Sequence, residues 1–274
     1  MLKLIDSGDH EWEFGYPRQY RDLFDEFDRG CEFFEKGDLK AAEESFRKVL
    51  ASMPDHLDAM HHLAMVLSER RLWKQARELW EQAVRIGRKA FPSDFKLGRD
   101  RLPWVMLDNR PFLRCLHGLA LERYEDEKLE EALGLFQEML LLNPNDNQGV
   151  RAVVQELLFT MGRFEEALWI SEHYPSDIMP ETLYGRALAL FKLGRRRDAT
   201  RALKEAVDYL PLVRKELLKK THRRPKSDWP DMIAVGSAGE AHEYWRTWRR
   251  IWEADPEALE WLRETAGARP RKRP

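Results

Sequence analysis

Leu39-Lys40-Ala41-Ala42 decides the fold, because the same pattern returns as Leu72-Trp73-Lys74-Gln75-Ala76, Leu129-Glu130-Glu131-Ala132, Phe164-Glu165-Glu166-Ala167 and Arg196-Arg197-Asp198-Ala199. The final alanines lie 34, 56, 35 and 32 residues apart, and the long interval is one 34-residue unit with 22 residues inserted. A fixed period in this range marks a stacked helical repeat. Around each alanine stand small residues and large apolar ones: Gly30, Phe33, Phe46 and Pro54 in the first unit, Leu116, Leu119, Ala120, Phe136 and Pro144 in the third, Leu183, Ala187, Leu190, Leu203, Ala206 and Pro211 in the fifth. Small residues let two helix backbones approach, while large ones fill the neighbouring holes at helical period. Gly37-Asp38, Gly162-Arg163 and Gly194-Arg195 fall where the first helix of a pair ends in a left-handed turn. The prolines stop the second helix. One such pair cannot bury its apolar face alone, so the units are expected to stack.

The pattern resembles the tetratricopeptide repeat over residues 23–211, divided into 23–56, 57–86, 113–147, 148–179 and 180–211 with an insertion at 87–108. That resemblance implies an all-α fold, a right-handed superhelical solenoid of about five helix pairs. Repeat two has Arg88 in place of the proline, and repeat four departs at Ser171 and Tyr174, so its second helix is expected to end near Pro175. Residues 1–22, with Trp12, Phe14, Tyr16 and Tyr20, read as a cap on the first helix pair, a separate binding arm being the other option. Pro92 and Pro103 break any long helix in the insertion, whose length makes it a possible gate. Residues 212–268 read as a C-terminal aromatic helical cap, with helices over Leu212 to Lys220 and roughly Gly239 to Ala254 and a last turn from Pro256 to Thr265. Residues 269–274 form a basic tail.

Residues 104–267 carry more particular runs: WVMLDNRPFLR from Trp104 to Arg114, LNPNDNQGVR from Leu142 to Arg151, and Ala258-Leu259-Glu260-Trp261-Leu262. These are similar to the repeat region of the suppressor-of-tumorigenicity-seven family and its bacterial look-alikes, which implies a shared scaffold and no localisation. In physical terms, Asp108 can cap a helix, Pro111 can occupy its first turn, and Arg110 and Arg114 share one face. Asn143, Asn145, Asp146 and Asn147 are turn formers, serving either a rigid connector or a polar ligand contact.

No catalytic or metal constellation survives its spacing. His10-Glu11 and His242-Glu243 begin like the zinc helix HExxH but lack the second histidine, and adjacent His61 and His62 point about 100° apart on a helix. Cys31 and Cys115 form no CxxC pair. There is no phosphate loop, GxGxxG or GxSxG. Ser237, in a glycine-rich run before a helix, reads as a helix cap in preference to an anion site. Non-enzymatic action without cofactor or metal is therefore expected. The 274 residues hold 46 basic and 48 acidic groups, net −2. With no long apolar run and no signal-peptide pattern at MLKLIDSGDH, the expectation is a cytoplasmic protein with no membrane span.

The first helix of each pair should line a concave groove. Its candidate partner-binding residues are His61, Met65, Arg114, His117, Leu121, Tyr124, Phe159, Tyr184 and Phe191. Aromatic and polar groups mixed in this way suit an extended peptide or an amphipathic helix. Self-packing of these rings is the competing reading. Chaperone-binding repeats of this type clamp a C-terminal carboxylate, but Phe27, Cys31 and His62 stand at the first three clamp positions and only Arg114 fits. Charge is uneven: residues 1–60 are net −7 and residues 181–274 net +8. Arg214, Lys215, Lys219, Lys220, Arg223, Arg224 and Lys226 form the alternative site, for nucleic acid or another polyanion. Nucleic acid is the less favoured partner on net charge. Trp229, Trp245, Trp248, Trp252 and Trp261 read as the core of the cap, with a base-stacking platform as the minority option. The expected function is a scaffold or adaptor that binds a protein segment.

Overall fold

The computed structural model describes residues 2–226 and 233–265. It comprises two compact units, residues 1–150 and 151–274.

The first unit opens on a hairpin, β1 (Lys3–Gly8) antiparallel to β2 (Glu11–Gly15), with Leu4 opposite Phe14 and Asp6 opposite Trp12. Asp9 and His10 have φ of 51° and 62°, the left-handed pair that matches strand twist in a tight hairpin. Glu11-Trp12-Glu13-Phe14 alternates charge and ring, so both rings leave one face of β2. Phe14 is buried against Phe91 and Phe112, and Trp12 meets Phe95. The hairpin lies on the 87–108 insertion: Trp12 N–H donates to Arg101 O at 2.9 Å, and Arg101 N–H to His10 O at 2.8 Å. Downstream, Tyr20 stacks on Tyr16 and His56 and meets Phe24 edge-on.

Six helices follow: α1 (Phe24–Glu35), α2 (Leu39–Ser52), α3 (Leu57–Glu69), α4 (Trp73–Lys89), α5 (Arg110–Glu125) and α6 (Leu129–Leu142). Asp38 caps α2 by accepting from Ala41 N–H, and His56 Nδ1 caps α3 by accepting from Ala59 N–H, both at 3.1 Å. Gly30 is small for a reason: a Cβ there would fall 2.7 Å from the Phe46 ring. Phe46, Leu57, Met60, Leu63, Leu67, Phe112 and Phe136 form the core. The left-handed turn inside the first pair is Gly37 (φ 76°), but in the next two pairs it falls on Arg71 (φ 61°) and Glu127 (φ 59°).

The insertion is tied down. Buried Asp100 accepts from Lys96 N–H at 2.6 Å and pairs with Arg99, which, with that N–H, holds the carboxyl well below the usual range. Asn109 Oδ1 accepts from Phe14 N–H (3.1 Å), and its Nδ2 donates to Trp12 O (2.9 Å) and Pro103 O (3.1 Å). Asp108 does not cap α5. A single 3₁₀ turn, Leu107–Asn109, carries the chain into that helix, whose first residues include Pro111. The Asn143–Asn147 run behaves as a connector: Asn143 Oδ1 accepts from Trp104 N–H and Asp146 Oδ1 from Val150 N–H.

The second unit comprises α7 (Val150–Thr160), α8 (Phe164–His173), α9 (Pro180–Lys192), α10 (Arg196–Tyr209), α11 (Pro211–Leu217), α12 (Ala238–Glu253) and α13 (Pro256–Glu264). α8 ends two residues before Pro175. α11 stops at Leu217, short of Lys220, where Lys219 turns back to buried Glu216. Trp248, Trp252, Tyr184 and Tyr244 are the largest fully buried side chains of this unit, with Trp252 Nε1 donating to Tyr244 Oη at 3.1 Å. Ser237 caps α12 through Glu240 N–H. Trp229 and the tail from Arg269 to Arg273 lie outside the described residues.

Candidate functional site

Four of the nine predicted groove residues converge. His61 and Met65 on α3 and His117 and Leu121 on α5 line one solvent-open cavity of about 340 Å³, with Trp73 and Trp80 of α4 completing it. Periodicity explains the convergence. His61 and Met65 are four apart on one helix, as are His117 and Leu121 on another, so each pair presents one stripe. Gly118 lets α4 come close: a Cβ there would fall 2.5 Å from Trp80 Nε1. That same Nε1–H donates to His61 Nδ1 at 3.2 Å, which fixes the imidazole as an acceptor on that side. Burial pushes His61 well below its usual pKa and lowers His117 as well, so both rings stay neutral near pH 7.

Trp73 is 51% exposed and Leu121 37% exposed. Together they leave apolar surface open beside the cavity. Glu69, Glu122 and Glu125 form the rim. Arg77 and Arg123 both hold Glu122, Arg77 also reaches Asp126, and Arg123 also reaches Glu81 and Glu131. Among the described residues, Glu69 and Glu125 form no ion pair and are exposed.

The other predicted groove residues lie elsewhere. Arg114 Nη1 donates to both carboxylate oxygens of Asp58, at 3.0 and 3.1 Å, and its guanidinium lies over Trp104, so it braces α5 on α3. Tyr124 is half-buried near the end of α5. In the second unit the rings are occupied by their own cap. Phe159 meets Trp248 at 5.1 Å, Phe191 stacks on Trp261 at 4.5 Å, and Tyr184 meets Tyr244 at 5.8 Å. All three are buried. Self-packing explains them, because α12 and α13 cover the surface that the inner helices would otherwise leave open.

The basic segment is likewise divided. Arg214 spends its guanidinium on the carbonyls of Leu262 (3.0 Å) and Arg263 (2.7 Å), closing the end of α13. Lys219 pairs with Glu216, which also meets His222 and His242. Lys215, Lys220, Arg223, Arg224 and Lys226 remain exposed. His222 stacks on Trp245 at 3.7 Å, so Trp245 is not a bare platform.

Sequence reasoning missed Trp73, Glu69 and Glu125. Trp73 opens the second helix of its pair, where the aligned residues are Leu39, Leu129, Phe164 and Arg196, and the signal was its indole ring at that position. Among the described residues there is no cluster of three or more His, Cys, Asp or Glu able to hold a metal, and no helix long and apolar enough to cross a membrane.

Solved structures with a similar fold include YrrB, a tetratricopeptide repeat protein with an unusual peptide-binding site (TM-score 0.51, 19% identity, covering 71% of this chain and 89% of that one). Others are MamA (0.51, 17% identity, 73% and 98%) and Naa15/Naa10 bound to HypK-THB (0.51, 16% identity, 73% and 27%). They establish the tetratricopeptide-like fold. A curated relative, the probable transcription factor claV of Ampulloclitocybe clavipes, is 24% identical over 226 residues, which is 74% of this chain. The chain spans 28% of that relative's length. Residues 31–272 match the family model described as transcriptional repressor TCF25. This corrects the resemblance of residues 104–267 to the suppressor-of-tumorigenicity-seven family: NRPFLR and NPNDNQG, which carried it, serve here as a helix start and an inter-repeat connector. The match covers most of the chain, and the chain belongs to the TCF25 family.

Proposed function

We propose that this chain is a non-enzymatic protein-interaction module that takes one side chain or short segment of a partner into the α3–α4–α5 cavity. The observation that carries this reading is the convergence of His61, Met65, His117 and Leu121 with the half-exposed Trp73 around one open cavity. Rigid aromatic groups around a concave apolar site give a partner large contact area at low entropy cost. Support comes from the similar structures whose descriptions name a peptide-binding site or a bound protein. The reading holds in the cytoplasm, which the sequence leads one to expect, and equally in the nucleus, which the family's transcriptional description brings in.

A second reading has its own observation. Lys215, Lys220, Arg223, Arg224 and Lys226 are exposed in a family described by transcription, and phosphate contact through them would make the chain a polyanion binder. Random dodecamer peptides displayed on phage and selected on the immobilised chain, then on the Leu121→Arg variant, test the first reading. Peptides that lose binding on Leu121→Arg support it. Peptides that bind both proteins alike overturn it.

A further inference from the structure

The charge around the cavity goes further and, resting on the interaction reading above, specifies what enters it. The floor is apolar: Met65, Ala76, Trp80 and Leu121 face the same space as exposed Trp73. The two histidines there are held neutral by burial, so they bring no positive charge. No lysine or arginine lines the cavity, and the two arginines that reach its rim carboxylate Glu122 are shared with other acids, Arg77 with Asp126, and Arg123 with Glu81 and Glu131. Glu69 and Glu125, at the ends of α3 and α5, are the carboxylates lining this apolar cavity that form no ion pair among the described residues.

We infer that the cavity accepts a partner segment in which a large aliphatic or aromatic side chain stands within a few residues of a lysine or arginine. The apolar group fills the space between the helices, and the cation lies against Glu69 and Glu125. Rim charges of this kind set which partners are admitted and how salt affects them. The chain's own basic tail, Arg269-Pro270-Arg271-Lys272-Arg273-Pro274, has the cations but no large apolar residue, so it meets half of the requirement.

The test uses dodecamers selected on the whole chain, fluorescein-labelled and titrated by anisotropy at low and raised salt. They should be enriched in an apolar residue next to Lys or Arg. Glu69→Lys with Glu125→Lys should weaken them about tenfold at low salt, an effect that shrinks as salt rises. Selection on that double variant should return Asp or Glu in place of the bases. Peptides that need Leu121 but show no enrichment in bases, and that tolerate the charge reversal, overturn this inference while leaving the cavity as the binding site. Peptides indifferent to Leu121→Arg overturn both. Circular dichroism of each variant confirms that its helices remain.

Discussion

Replacing Tyr184 by phenylalanine tests whether the second unit's inner surface is closed. The hydroxyl donates to Leu210 O at 2.8 Å and accepts from Arg214 N–H at 3.2 Å, so it bridges the end of α10 and the start of α11. The tyrosine is fully buried, and its ring lies 5.8 Å from that of Tyr244. Removing one oxygen leaves a carbonyl and an amide without that partner in a dry site, at a cost of about 2–3 kcal/mol. Urea denaturation followed by circular dichroism and by tryptophan fluorescence reads this, since Trp248 and Trp252 are fully buried in the same core. A groove tyrosine facing solvent would behave differently, its Phe variant lying within about 0.5 kcal/mol of the parent. That result would refute the closed-cap account. By the same logic, loss of partner binding in a Tyr184→Ala variant reports damage to the second unit and not removal of a contact.

Glu127→Gly should stabilise the chain by about 0.5–1 kcal/mol in thermal or urea unfolding, because Glu127 holds φ of 59°, while Gly162→Ala at φ 71° should destabilise it by about 1 kcal/mol. Asn109→Ala removes three hydrogen bonds to the hairpin and insertion, so hydrogen exchange over residues 3–15 should accelerate and stability fall by roughly 2–4 kcal/mol. Burial raises the Glu181 carboxyl to about 7, and its Oε2 is buried without a hydrogen-bond partner. A raised acid favours the folded state when protonated, so its contribution is full below pH 4.5 and is lost as pH climbs through about 7. Glu181→Gln should accordingly match the parent near pH 5 and exceed it at pH 8, by on the order of 1–3 kcal/mol in unfolding measurements.

The repeat phase was legible because alanine and large-apolar positions recur at fixed spacing, and packing obeys that spacing wherever it occurs. Gly30 against Phe46 is the arrangement that the pattern implies. The hairpin escaped because a repeat search looks for helical period, while Glu11-Trp12-Glu13-Phe14 signals a period of two over only four residues. Arg71 and Glu127 in left-handed turns were hidden for a related reason, since neither residue type announces that conformation. The site divided along physical lines. His61, Met65, His117 and Leu121 reach open space. Phe159, Tyr184 and Phe191 occupy the matching positions but are covered by Trp248, Tyr244 and Trp261 of α12 and α13, distant in sequence and attached to no repeat period. Arg214 was counted among free cations because sequence cannot show that it closes the end of α13.

Photo-crosslinking from two positions tests the central claim most directly. Benzoylphenylalanine is placed at Leu121 in one preparation and at Lys220 in another, and each is offered the selected dodecamer together with a 20-nucleotide RNA, about the length a basic surface segment needs to engage several phosphates. The account predicts a peptide adduct from position 121 and none from position 220. RNA adducts from position 220, with no peptide adduct from position 121, would contradict it and move the function to the basic segment.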